Sequence, residues 1–77
     1  MTIKDVINNF DNATYKNSKL LTIHILSTIR GGGLQEAKDM IDSFPFTGLS
    51  GKDIIKYLKE NDNWVNIKKN IKRLKYI

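Results

Sequence analysis

Leu20-Leu21-Thr22-Ile23-His24-Ile25-Leu26-Ser27-Thr28-Ile29-Arg30 reads two ways, and the fold of the chain turns on which is taken. Leu21, Ile23 and Ile25 alternate with Thr22 and His24, the period of two that lines one face of a strand. Leu21, Ile25 and Ile29 also recur every fourth residue, which stacks them on one side of a helix. Gly31-Gly32-Gly33 ends the element in either case, because residues without a Cβ allow positive φ and a tight reversal.

Beyond the glycines the pattern is plain. Leu34, Ala37, Met40, Ile41 and Phe44 fall on one arc of a helix, and Gln35, Glu36, Lys38, Asp39 and Asp42 fill the other. Pro45 stops that helix, and Phe46-Thr47-Gly48-Leu49 makes a short connection. Ser50-Gly51-Lys52-Asp53 has the capping-box spacing, a hydroxyl followed three residues later by an acid. It opens a further helix with Ile54, Ile55, Tyr57 and Leu58 inward, closed by Asn61-Asp62-Asn63. The segment from Trp64 to Ile77 stays open. As a helix it lines Trp64, Ile67, Ile71 and Leu74 on one side, whereas Trp64 to Lys68 by itself reads as a strand with Val65 and Ile67 facing in.

On the N-terminal side, Ile3, Val6, Ile7 and Phe10 keep helical spacing, with Thr2 placed to accept from the first turn's free amides; a helix over about 3 to 10 is expected. Residues 11 to 18 are polar and turn-forming and read as a loop or a very short strand. No internal repeat or low-complexity stretch is present.

The stretch from Gly31 to Pro45 resembles the centre of the C-terminal domain of the bacterial ribosomal stalk protein. In that family a helix ending in Arg-Gly meets a glycine-rich turn, followed by a Gly-Leu-Lys-Glu-Ala-Lys-Asp helix that closes at Ser-x-Pro. Here the match is Gly33-Leu34-Gln35-Glu36-Ala37-Lys38-Asp39, and the likeness extends over about residues 19 to 68. The resemblance implies a helix for residues 20 to 30, a third helix over 50 to 61, and a last strand over 64 to 68. It also implies protein binding through the first helix pair, where Arg30, Gly33, Leu34 and Lys38 match the family's binding groups. Thr22 and Ser27 stand where the family carries lysines on its first helix.

The expected fold is therefore α-rich α+β: a helical hairpin and a third helix on a small sheet, with an extra N-terminal helix. A small all-α bundle is the alternative. Residues 1 to 77 have the length of one domain and not two, and a chain this short buries only about 60% of its unfolded surface, which leaves little room for a large catalytic cleft.

Charge is distributed unevenly. Of 13 Lys and Arg against 8 Asp and Glu, residues 1 to 63 hold eight of each, and the +5 excess lies wholly in Lys68, Lys69, Lys72, Arg73 and Lys75. Residues 64 to 77 are thus a basic C-terminal segment. The absence of cysteine excludes disulfides, thiolate zinc sites and cysteine nucleophiles, and a reducing cytoplasmic location is expected. No apolar run approaches the roughly 20 residues of a membrane span, and Met1-Thr2-Ile3-Lys4-Asp5 has no signal-peptide character.

Catalysis finds little support. Glu36 with Asp39, or Asp39 with Asp42, forms a carboxylate pair at i, i+3, but these acids alternate with Gln35 and Lys38 on a face expected to be solvated. His24, the one histidine, has no acid at i±3 or i±4 to orient it and cannot build a histidine metal cluster. The glycine run lacks the Lys-Ser/Thr of a phosphate loop. No catalytic residue, cofactor or metal is expected. The basic segment suits contact with phosphates or an acidic partner, although lysines on a docked helix are also simply solvated.

The expected function is a non-catalytic protein-binding module acting through Arg30, Gly33, Leu34 and Lys38. The alternative is a small nucleic-acid-binding protein acting through Lys68, Lys69, Lys72, Arg73 and Lys75. Eleven Lys, eleven Ile and eight Asn indicate an AT-rich coding sequence, which suits a phage-type accessory protein that engages a host macromolecule.

Overall fold

In the computed structural model, which describes residues 1–43 and 49–75, the chain forms five helices and, among the described residues, no strand. They are α1 (Ile3–Tyr15), α2 (Lys19–Arg30), α3 (Leu34–Asp42), α4 (Gly51–Asn61) and α5 (Trp64–Arg73). This overturns the expected α+β fold with its small sheet; the architecture is the all-α alternative. All three segments with a strand reading carry helix, residues 20 to 30 as α2. Residues 11 to 15 continue α1, because Ala13, three residues after Phe10, extends the buried stripe. Residues 64 to 68 open α5, which buries Ile67 and Ile71 while Val65, an inward residue of the strand reading, is 65% exposed.

The helix starts follow local chemistry. Thr2 and Ser50 each accept from the backbone N–H three residues on, and Asp5 and Asp53 return the bond to the cap N–H, completing two capping boxes. Ser18 and Asn63 cap α2 and α5 in the same way, with a single bond each. At the end of α2, Gly31 takes φ 78°, a left-handed conformation in which a side chain would be strained. The expected stop at Pro45, the apolar Phe44 and the connection over 46 to 48 lie outside the described residues.

α2 is the central element, packed on α1, α3 and α5, while α4 lies chiefly on α1 and also meets α5. That position explains the ambiguous reading of its sequence. Thr22, Ile23, Ile25, Leu26 and Ile29 are all buried, since neighbours cover several sides of the helix and leave no broad polar face to print a 3.6-residue period. Thr22 satisfies its buried hydroxyl by donating to the Ser18 carbonyl at 3.0 Å. Phe10, Leu26, Ile41, Leu58 and Ile71 bring all five helices into one apolar core.

Close approach and polar fastening hold α4 against α1. The Gly51 N–H donates to Asp11 Oδ1 at 2.6 Å, and a Cβ at Gly51 would stand only 2.4 Å from the Ile7 carbonyl oxygen. Glycine at the first residue of α4 is thus a packing requirement.

Candidate functional site

The four residues expected to bind a protein do not form one surface. Arg30 is drawn inward: its side chain is 19% exposed, with Nε 2.6 Å from Asp62 Oδ2 and Nη1 3.4 Å from Glu36 Oε2. Asp62, 32 positions away in sequence, ends α4, so this pair fastens α2 to the α4–α5 junction. The same end of α2 receives a second bond, from Asn70 Nδ2 of α5 to the Ile29 carbonyl at 3.0 Å, close beside Gly31. One of the carbonyls that helix α2 leaves free at its C-terminal end is thereby satisfied from outside the helix.

Protonation follows this geometry. Asp62's hydrogen bond keeps the Arg30 guanidinium proton more firmly held than usual, against the opposing effect of burial. For Asp62 burial acts to raise the pKa, but the bonds from Arg30 and from the Asn63 N–H outweigh it and hold the carboxyl below the ordinary 3.8.

Leu34 and Lys38 are accessible. Leu34 opens α3 and is 57% exposed, and it lines a common hollow with Leu20 of α2, which is 77% exposed. Two open hollows flank this leucine pair. One, of about 340 Å³, is bounded by Lys19, Ile23, Gln35 and Lys38; the other, of about 470 Å³, by Ser18, Leu21 and His24. Lys38 and Lys19 both pair with Asp42, at 3.4 and 2.5 Å, and Lys19 in first place holds the Asp42 carboxyl below its usual range. Gly33 caps α3 with φ −73° and open space where a Cβ would stand.

Sequence reasoning missed Leu20. Leu20 lies on the outward side of α2, with the exposed His24 one turn on. The signal available was an apolar residue off the Leu21-Ile25-Ile29 stripe.

The other candidate surface is α5. Lys68, Lys69, Lys72, Arg73 and Lys75 are all exposed, and no acid among the described residues lies within ion-pair distance of any of them. Trp64 lies at its near end, with Lys59 Nζ of α4 5.3 Å from the ring centroid.

The groups considered for catalysis are occupied or isolated. Glu36 pairs with Arg30, Asp39 accepts from Gln35 Nε2 at 3.0 Å, and Asp42 holds two lysines. His24 is exposed and borders the larger hollow, whose lining includes no acid. Among the described residues no group of three or more potential metal ligands comes together, and no helix is long and apolar enough to cross a membrane.

No protein-family model, curated protein or solved structure matches the chain.

Proposed function

We propose that the chain is a non-catalytic protein-binding module whose contact surface is the outer face of the α2–α3 hairpin, centred on Leu20 and Leu34. The observation that carries this reading is the pairing of two exposed leucines from different helices. Each stands beside a hollow able to receive a partner's side chain. Isolated exposed leucines are ordinary; two from different helices that border the same concave surfaces form a patch that gains by being covered.

The rim sets the chemistry of the occupant. Lys19 and Lys38, both bordering the smaller hollow, share one carboxylate, Asp42, so at that edge two ammonium groups face a single acid, with Asp39 held by Gln35 beside them. An amphipathic helix with an acidic flank fits: apolar side chains on Leu20 and Leu34, carboxylates toward the two lysines. Arg30 has no part in this contact, being committed to Asp62.

Covering an exposed leucine contributes about 1.5 kcal/mol or more, so loss of both should weaken binding by roughly 100-fold. The test is recovery of a defined protein from a bacterial lysate, followed by titration of that protein with wild-type chain and with the Leu20→Ser, Leu34→Ser double variant. Both positions are exposed, so the variant should keep its helical circular dichroism and lose the partner. Equal affinity of wild type and variant would overturn the choice of surface.

A further inference from the structure

We propose a second, independent binding site: the outward face of α5 is a docking surface for the phosphate backbone of duplex nucleic acid. It uses none of the residues of the α2–α3 surface.

The geometry starts from the helical period. At 100° per residue, Lys68, Lys72, Lys69 and Arg73 occupy one continuous arc, and Ile67 and Ile71 point the other way into the core. Lys75 follows just beyond the helix end. Successive members of each i, i+4 pair, Lys68 with Lys72 and Lys69 with Arg73, are about 6 Å apart along the axis. The result is a ladder of cations on a rigid rod whose register is pinned by buried isoleucines.

Every one of these charges is available. Lys19, Arg30 and Lys38 are each matched by an acid, whereas no acid among the described residues reaches a cation of α5, and unlike the unmatched lysines of α4, whose helix also carries Asp53 and Glu60, those of α5 share their helix with no acid. Like charges at i, i+4 repel, at a cost of a few tenths of a kcal/mol per pair, so the bare helix tolerates an arrangement that an anionic ligand would relieve.

Two alternative anionic occupants suit the surface less well. A membrane-surface helix must insert an apolar face, and the apolar face of α5 is already spent on the core, leaving only Val65 and the half-buried Trp64 beside the lysines. A folded protein interface centres on apolar and aromatic anchors with charge at the rim, whereas here charge occupies the centre. A regular row of phosphates needs only cations at repeated spacing, which is what the arc supplies. Apart from Val65, the arc presents only Lys and Arg, with Asn66 at its edge, so the contact positions a duplex without reading its sequence.

Fluorescence anisotropy with a labelled mixed-sequence DNA duplex of about 24 bp tests the proposal. With all five cations engaged, log K should fall with log salt at a slope of about −4.5, a loss of roughly 500-fold between 50 and 200 mM. The Lys68→Gln, Lys72→Gln variant should fold normally, both residues being exposed, and its slope should drop to about −2.7. A matched variant that removes two exposed lysines elsewhere, Lys16→Gln with Lys52→Gln, should keep the wild-type slope. Equal slopes for the two variants would assign binding to diffuse net charge and overturn the site, as would no duplex binding at 50 mM salt. Binding to phosphatidylserine vesicles or to poly-glutamate as tight as to the duplex at the same salt would overturn the nucleic-acid assignment.

Discussion

Arg30 at the end of α2 and Arg73 at the end of α5 occupy the same place in their helices, the last turn, where the helix dipole favours a cation. Arg30 is taken up by the fold: Asp62 and Glu36 reach it, its side chain is mostly covered, and it ties three elements together. Arg73 is exposed, has no acid within reach among the described residues, and belongs to a charged surface. The two side chains are chemically identical. What separates them is whether the fold delivers a carboxylate from a distant part of the chain, and that difference turns one arginine into a fastener and leaves the other available to a ligand.

The comparison breaks most readily at Asp62. Asp62→Ala leaves a largely covered guanidinium with only the longer Glu36 contact. It should cost about 2 kcal/mol, the scale of a lost hydrogen bond to a charged group, which for a chain this short lowers Tm by roughly 10 °C. Thermal denaturation of Asp62→Ala, Arg30→Ala and the double variant should show coupling of at least about 1 kcal/mol. Additive effects would show that the pair fastens nothing.

Acid should loosen the same seam. The carboxyl of Asp62 titrates below its ordinary value when folded, so the unfolded chain binds the proton more readily. Its stabilisation is therefore complete above the unfolded pKa of about 4 and is lost as pH falls through the lower folded value. Denaturation midpoints measured from pH 6 down to pH 2 should fall in wild type and fall less steeply in Arg30→Ala, where the cause of the depression is gone. Parallel curves would place the acid sensitivity at other carboxylates.

Asn70→Ala removes the bond to the Ile29 carbonyl and should cost about 1 kcal/mol, seen as a shifted urea midpoint with unchanged slope. At the small end, Arg73→Ala should change stability by less than about 0.5 kcal/mol while lowering the salt slope of duplex binding by about 0.9. A destabilisation of Arg73→Ala as large as that of Arg30→Ala would erase the contrast between the two helix ends.

Much of the fold was legible in the chain. The Thr2 cap, the Ser50–Asp53 capping box, the amphipathic stripes of α3 and α4, and the glycine reversal after Arg30 are short-range patterns that hydrogen bonding and burial periodicity impose locally. The loop-or-strand reading of residues 11 to 18 missed the continuation of α1 to Tyr15 because Ala13 is too small to stand out as the next member of the Phe10 stripe. The stalk-like core motif supported helix at residues 20 to 30, but the small sheet it implied is absent among the described residues. Of the candidate site, Leu34, Lys38 and the α5 cations stand where ligands can reach them, while Arg30 does not and Leu20 went unremarked.

The division has a physical basis. Sequence alone determined where α1, α3 and α4 begin, where α2 and α4 stop, and that all the excess charge lies at the C-terminal end, because caps, turns and composition involve residues a few positions apart. Only tertiary structure decided that α2 is central and buried on several sides, that Asp62 meets Arg30 across 32 positions, and that α5 turns its isoleucines inward and its lysines out. Those outcomes depend on which helices pack together, and no local pattern carries that information.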